Sequence, residues 1–160
     1  LNDKVFTARV YDADQLNYLY ADKEFTFEES VSFGEPTRTG YTFDGWYHND
    51  VRYTEIPQGT LEDITLVARW TINQYTITFN TAGGSEIASI TADYRTKVTA
   101  PSNPTRNGYT FAGWDRVIPQ RMTEGNITIT ALWTVNEYEI TYELNGGEFD
   151  TEPFKTFNTK

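Results

Sequence analysis

The chain has 160 residues, a net charge of −10 and no cysteine. That length admits one or two domains. The missing thiols exclude a disulfide scaffold, a thiolate zinc site and a cysteine nucleophile, and the acidic balance argues against nucleic acid and anionic membranes, which both select a positive face.

In chain order, the first predicted strand sets Phe6, Ala8 and Val10 against Thr7, Arg9 and Tyr11, the period of two of a half-buried strand. The aromatic share of 16% favours strands throughout. A block follows in which Pro36-Thr37-Arg38 leads into Gly40-Tyr41-Thr42-Phe43 and Gly45-Trp46. The parity of the aromatics changes across Gly45, and likewise across Gly113 in a later block, which predicts at each a bulge that turns the following Trp inward. Residues 48–59 read as a long loop, with a short helix signal from Pro57 to Asp63. Ile64, Leu66, Ala68 and Trp70 then alternate with Thr65, Val67 and Arg69. Tyr75, Ile77 and Phe79 form the next strand, with a turn at Gly83-Gly84. Gly108-Tyr109-Thr110-Phe111 and Gly113-Trp114 come next, then a short helix signal from Pro119 to Thr123, then Ile127, Ile129, Ala131 and Trp133 on one face. The last predicted strand places Tyr138, Ile140, Tyr142 and Leu144 on one side and ends at Asn145-Gly146-Gly147. No apolar run approaches a membrane span, so no membrane insertion is expected of this fragment. Because the chain begins at Leu1 and shows no signal peptide, it is expected to be a piece of a longer protein.

These elements repeat. The Gly-Tyr-Thr-Phe block at Gly40 returns at Gly108, and Trp70-Thr71-Ile72-Asn73 returns as Trp133-Thr134-Val135-Asn136. The expected units are 1–73, 74–136 and 137–160, the third only a beginning that must pack on the second to be ordered. No Gly/Ser or Pro-rich linker separates them, which predicts stiff joints. Unit one has six Lys/Arg against thirteen Asp/Glu, and unit two has five against four, so the acidity is uneven. Such an imbalance can steer a basic partner, although solubility is the plainer reading.

Candidate chemistry is sparse. His48, the only histidine, stands in the expected loop beside Tyr47 and Asn49, without the nucleophile and acid of a triad. Asp12, Asp14 and Asp22 lack the glycine and terminal glutamate of a calcium loop. Glu28-Glu29 and Glu62-Asp63 are adjacent pairs, which point to opposite sides of a strand. Trp46, Trp70, Trp114 and Trp133 recur in register, as residues demanded by a fold do; a sugar-stacking platform is the competing reading. Tyr18, Tyr20, Tyr47, His48 and Tyr53 belong to unit one alone, and Tyr47, His48 and Tyr53 are the candidates for partner binding. No catalytic residue, metal site or cofactor is assigned.

The string Pro104-Thr105-Arg106-Asn107-Gly108-Tyr109-Thr110-Phe111-Ala112-Gly113-Trp114, closed by Ala131-Leu132-Trp133 and preceded by Tyr75–Phe79 with Gly83-Gly84, resembles the Listeria–Bacteroides repeat, the B-repeat type of internalin B. Unit one departs from it, with Asp12-Ala13-Asp14-Gln15 where Gly-Gly is usual and with the longer segment after Trp46. The resemblance implies a mainly β, β-grasp-like fold in tandem units, export to a bacterial surface or medium, no catalysis and no cofactor. The leading expectation is a monomeric stalk or spacer module. The alternative is a module binding a host or neighbouring surface protein, or a glycan, through the unit-one aromatics. A hydrolase has no constellation to support it.

Overall fold

The computed structural model describes residues 4–12, 18–151 and 156–158, with side chains left out at 12 and 18–21. Beyond Asp12, the turn read around Asp12 and Asp14 therefore lies outside the described residues. Every regular element among the described residues is a strand, as the aromatic and β-branched alternation predicts. The two helix signals give irregular segments instead. At Pro57, the carbonyl takes both the backbone N–H and the hydroxyl of Thr60, which closes one turn and no more. Between Pro119 and Thr123, Met122 is buried, its N–H donates to Thr96 O, and its carbonyl accepts Arg95 N, so tertiary bonds hold the backbone open.

The chain forms two compact units, Leu1–Gln74 and Tyr75–Lys160. In the first, the strands are β1 (Val5–Asp12), β2 (Tyr18–Thr26), β3 (Val31–Ser32), β4 (Tyr41–His48), β5 (Val51–Tyr53), β6 (Glu55–Ile56) and β7 (Ile64–Ile72). The main sheet has the order β2-β1-β7-β4-β5, and β3 pairs with β6 in a separate ribbon. β1 and β7 run parallel at its centre, with Ala8 opposite Ile64 and Asp12 opposite Ala68; the other pairs are antiparallel. One face buries Phe6, Ala8, Val10 and Phe25 with Ile64, Leu66 and Ala68, against which Val31 and Ile56 of the ribbon close. The segment expected as a loop from His48 to Gly59 is a correction: it folds into β5 and β6. Asn49 and Asp50 take positive φ (46 and 64), as a two-residue hairpin turn requires, so β5 pairs directly back on β4.

In the second unit, the strands are β8 (Gln74–Asn80), β9 (Ile90–Asp93), β10 (Tyr109–Trp114), β11 (Ile127–Val135), β12 (Glu137–Glu139) and β13 (Thr156–Asn158). The sheet order is β10-β11-β8-β9, with β8 parallel to β11. This repeats the order β4-β7-β1-β2 of unit one, without the added β5. Ile77, Phe79 and Ile129 fill the core with Val98 and Met122. Both bulges are present: the register slips between Phe43 and Gly45 on β4, and between Phe111 and Gly113 on β10.

The run Tyr138–Leu144 also differs from expectation. Its strand stops at Glu139, β12 pairs only with β13, and Tyr142 and Leu144 stay exposed. β8, its counterpart, has β11 and β9 on its two sides; among the described residues no strand flanks 140–144, so no ladder holds that segment extended.

Candidate functional site

Among the described residues the β4–β5 hairpin is what unit one has and unit two lacks, and it carries all three candidate binding residues. Its register pairs Trp46 with Tyr53, Tyr47 with Arg52, and His48 with Val51. Directly paired residues share a face and successive ones alternate. Tyr53 and His48 therefore stand with Trp46 on the core side, and Tyr47 stands with Arg52 on the outer side.

Each contact follows from that placement. Tyr53 packs on the core, and its ring meets the His48 ring edge-on at 6.1 Å. His48 Nδ1 lies 3.0 Å from Thr65 O, which only accepts, so the ring proton sits on Nδ1; Nε2 then accepts from Asn49 Nδ2 at 2.9 Å. Both ring nitrogens are thus engaged in holding the hairpin. On the outer side, the Arg69 guanidinium lies 4.1 Å from the centre of the Tyr47 ring and forms an ion pair with Asp50. Arg52 crosses over Gly45 so closely that a methyl group there would strike its side chain. Tyr47, His48 and Tyr53 are all half-buried and occupy two faces of the hairpin. The side chains of Tyr18 and Tyr20 lie outside the described residues.

The four tryptophans form two matching clusters. Phe43 meets Trp46 at 5.1 Å and Trp70 at 5.4 Å, and Phe111 meets Trp114 at 5.3 Å and Trp133 at 5.6 Å, all edge-on. Trp46 is buried and donates its indole N–H to Gly34 O at 3.2 Å. Trp133 Nε1 donates to Thr81 O at 2.9 Å, whereas Trp70 Nε1 is buried without a partner among the described residues. Trp114 is half-buried.

One member of each carboxylate pair, Glu29 and Asp63, serves the fold. Glu29 Oε2 accepts from Thr26 N and Oγ1, closing the turn after β2. Asp63 Oδ1 accepts Thr7 N at 2.9 Å, and its other oxygen lies 3.6 Å from Arg9. Asn126 takes the Asp63 place in unit two and accepts Thr76 N at 2.8 Å. Among the described residues, no three His, Asp or Glu side chains gather as metal ligands would.

Two recurring devices went unread in the sequence. Arg38 stacks 3.9 Å from the centre of Tyr41, and Arg106 stacks 3.7 Å from that of Tyr109, which explains the arginine that precedes each Gly-Tyr-Thr-Phe block. Asn73 and Asn136 follow β7 and β11. Each donates its N–H to a glycine carbonyl, Gly40 or Gly108, at 2.9 Å, and accepts a threonine hydroxyl, Thr42 at 2.6 Å or Thr110 at 2.7 Å. The recurrence of Thr and Asn at matching places was the available signal.

Known proteins share this pattern. The family profile of the Listeria-Bacteroides repeat domain matches residues 11–69 and again 75–131. A protein of Evansella cellulosilytica named as a membrane protein is 34% identical over 129 residues, covering 73% of this chain and 19% of its own length. A second from that organism, named as a Gly-rich membrane protein, is 33% identical over 133 residues, covering 73% of this chain and 15% of its own. Internalin H of Listeria monocytogenes is 38% identical over 115 residues, covering 64% of this chain and 21% of its own. The chain thus spans a minor part of these three relatives.

Proposed function

Because the chain belongs to the Listeria-Bacteroides repeat family, we propose that it is a non-catalytic, monomeric spacer module of a bacterial cell-surface or secreted protein, built of β-grasp-like units at 1–73 and 74–136 with a third begun at 137–160. Parallel first and last strands at the centre of a four-strand order support the β-grasp-like reading. The relatives named for the membrane and for an internalin support a place at the cell envelope.

One observation carries the spacer reading: the strands that end one unit and begin the next lie a single residue apart along the chain. β7 ends at Ile72 and β8 begins at Gln74, and the one residue between them, Asn73, is tied by backbone and side chain into unit one. So short a link has little of the freedom of a flexible coil, which gains reach only as the square root of its length. A nine-residue β7 extends roughly 30 Å at ~3.3 Å per residue.

The chain lacks cysteine, so Glu28→Cys with Glu124→Cys supplies the only two attachment points for spin labels. Both positions are exposed. The expected result is a narrow distance distribution that broadens when Gly-Ser-Gly is inserted after Asn73. A broad distribution in the uninserted chain would remove the spacer reading.

A second reading, a protein- or glycan-binding adhesin module, is favoured by the added hairpin, which presents Tyr47 beneath Arg69 on the outer face of unit one alone. It predicts that Tyr47→Ala abolishes capture of a surface protein or glycan while the unfolding curve is kept. Unchanged binding by that variant would end it.

A further inference from the structure

The two copies differ at one sheet edge, and among the described residues the difference leaves a strand of unit two uncovered. β4 is flanked on its outer side by β5, while its counterpart β10 ends the sheet. Gly108 O accepts Asn136 N and Asp115 N donates to Thr130 O, so these backbone groups face β11. Counting by twos from each end, across the bulge, turns the backbones of Phe111 and Trp114 outward, away from β11.

The side chains agree. Gly45 is roofed by Arg52, yet its counterpart Gly113 has no atom within 4 Å of where a side chain would begin. Trp46, opposite Tyr53, is 3% exposed, whereas Trp114 is half-buried. Leu132 pairs with Gly113 across the sheet and is 47% exposed, where Arg69 stands in unit one. Asp115 takes the place of Tyr47, the residue that faces Arg52 in the hairpin.

We propose that the outer edge of β10 is a docking site for an extended peptide segment carrying a basic residue followed at once by an aromatic one, which adds antiparallel as a fifth strand. Unit one shows the occupant in cis, since Val51-Arg52-Tyr53 is such a segment. On β10, the stem of the basic side chain crosses Gly113 and covers Leu132. Its charged head lies across from Asp115, and the aromatic ring closes over Trp114. Main-chain bonds to Phe111 and Trp114 supply affinity, and the alternating side chains supply selectivity. The opposite edge, β9, corresponds to β2, and each ends its own sheet, so among the described residues no covering strand exists there to copy.

The test is an NMR titration of the isotope-labelled 160-residue chain with a synthetic peptide copying residues 50–55. The expected result is saturable amide shifts at Phe111, Gly113, Trp114 and Leu132. A peptide N-methylated at the positions of Val51 and Tyr53, whose backbones face the partner strand, should bind at least about fivefold more weakly through loss of its main-chain bonds. Asp115→Asn keeps the acceptor for Thr130 N, so the fold is retained while affinity and its salt dependence fall. Absence of shifts on β10 up to about 1 mM peptide, the scale of the weakest specific binding, overturns the proposal. So do shifts confined to another surface, or equal binding by the N-methylated peptide.

Discussion

Replacing Gly84 by alanine tests how tightly the repeated aromatics are set. A Cβ on Gly84 would stand 2.5 Å from the Trp133 ring and 3.1 Å from the Thr105 carbonyl. The backbone of Gly84 is outside the left-handed region, so the cost is collision and not torsion. The ring cannot swing away freely: its N–H is bonded to Thr81 O, and Phe111 lies edge-on against it at 5.6 Å. Forcing a methyl group into packed surroundings costs about 1–3 kcal/mol, and losing the hydrogen bond of the half-buried indole adds about 0.5–1.5 kcal/mol. Gly84→Ala should therefore lower the stability of unit two by about 2–4 kcal/mol, a fall in Tm of at least about 10 °C for a domain this small. Urea and thermal unfolding of the whole chain, followed by near-ultraviolet circular dichroism and by amide signals of each unit, measures it. Trp133→Phe removes the atoms that collide, so in that background Gly84→Ala should cost under about 1 kcal/mol, a coupling only contacting residues show. A loss under about 0.5 kcal/mol in the native background, or additive effects in the pair, would refute the reasoning.

Ile129 is fully buried with Ile77 and Phe79, so Ile129→Ala should cost about 2–5 kcal/mol in the unfolding of unit two and leave the amide signals of unit one in place. Asp63→Ala and Asn126→Ala each unbind the entry of a first strand, Thr7 N and Thr76 N; each should cost about 1 kcal/mol by urea unfolding. Arg52→Ala uncovers Gly45, and amide exchange at Val51 and Tyr53 should accelerate several-fold while that of β7 is unchanged.

Much of the fold could be read from the residues because the strand period is two and the copies confirm each other. Ile64, Leu66 and Ala68 point into the core as their alternation predicts, and the parity change around Gly45 and Gly113 became a bulge in both sheets. The hairpin after Trp46 was hidden because its turn is Asn49-Asp50, without a glycine, and because Val51-Arg52-Tyr53 is too short to show a period. The candidate site was read less well for a related reason. Tyr47, His48 and Tyr53 are neighbours in sequence, but only the register of β4 on β5 reveals that Tyr47 faces away from the other two. The arginine stacks depend on the geometry of a turn, and the asparagine ties on partners at the far end of a neighbouring strand, neither of which composition encodes.

The parallel pairing of β1 with β7, and of β8 with β11, decides how a unit bears tension. Since the first and last strands are neighbours running in one direction, the chain enters at one end of the pair and departs at the other. A pull on the two ends slides the strands along each other and loads their rungs together in shear. An antiparallel terminal pair would instead open one rung at a time, like a zipper.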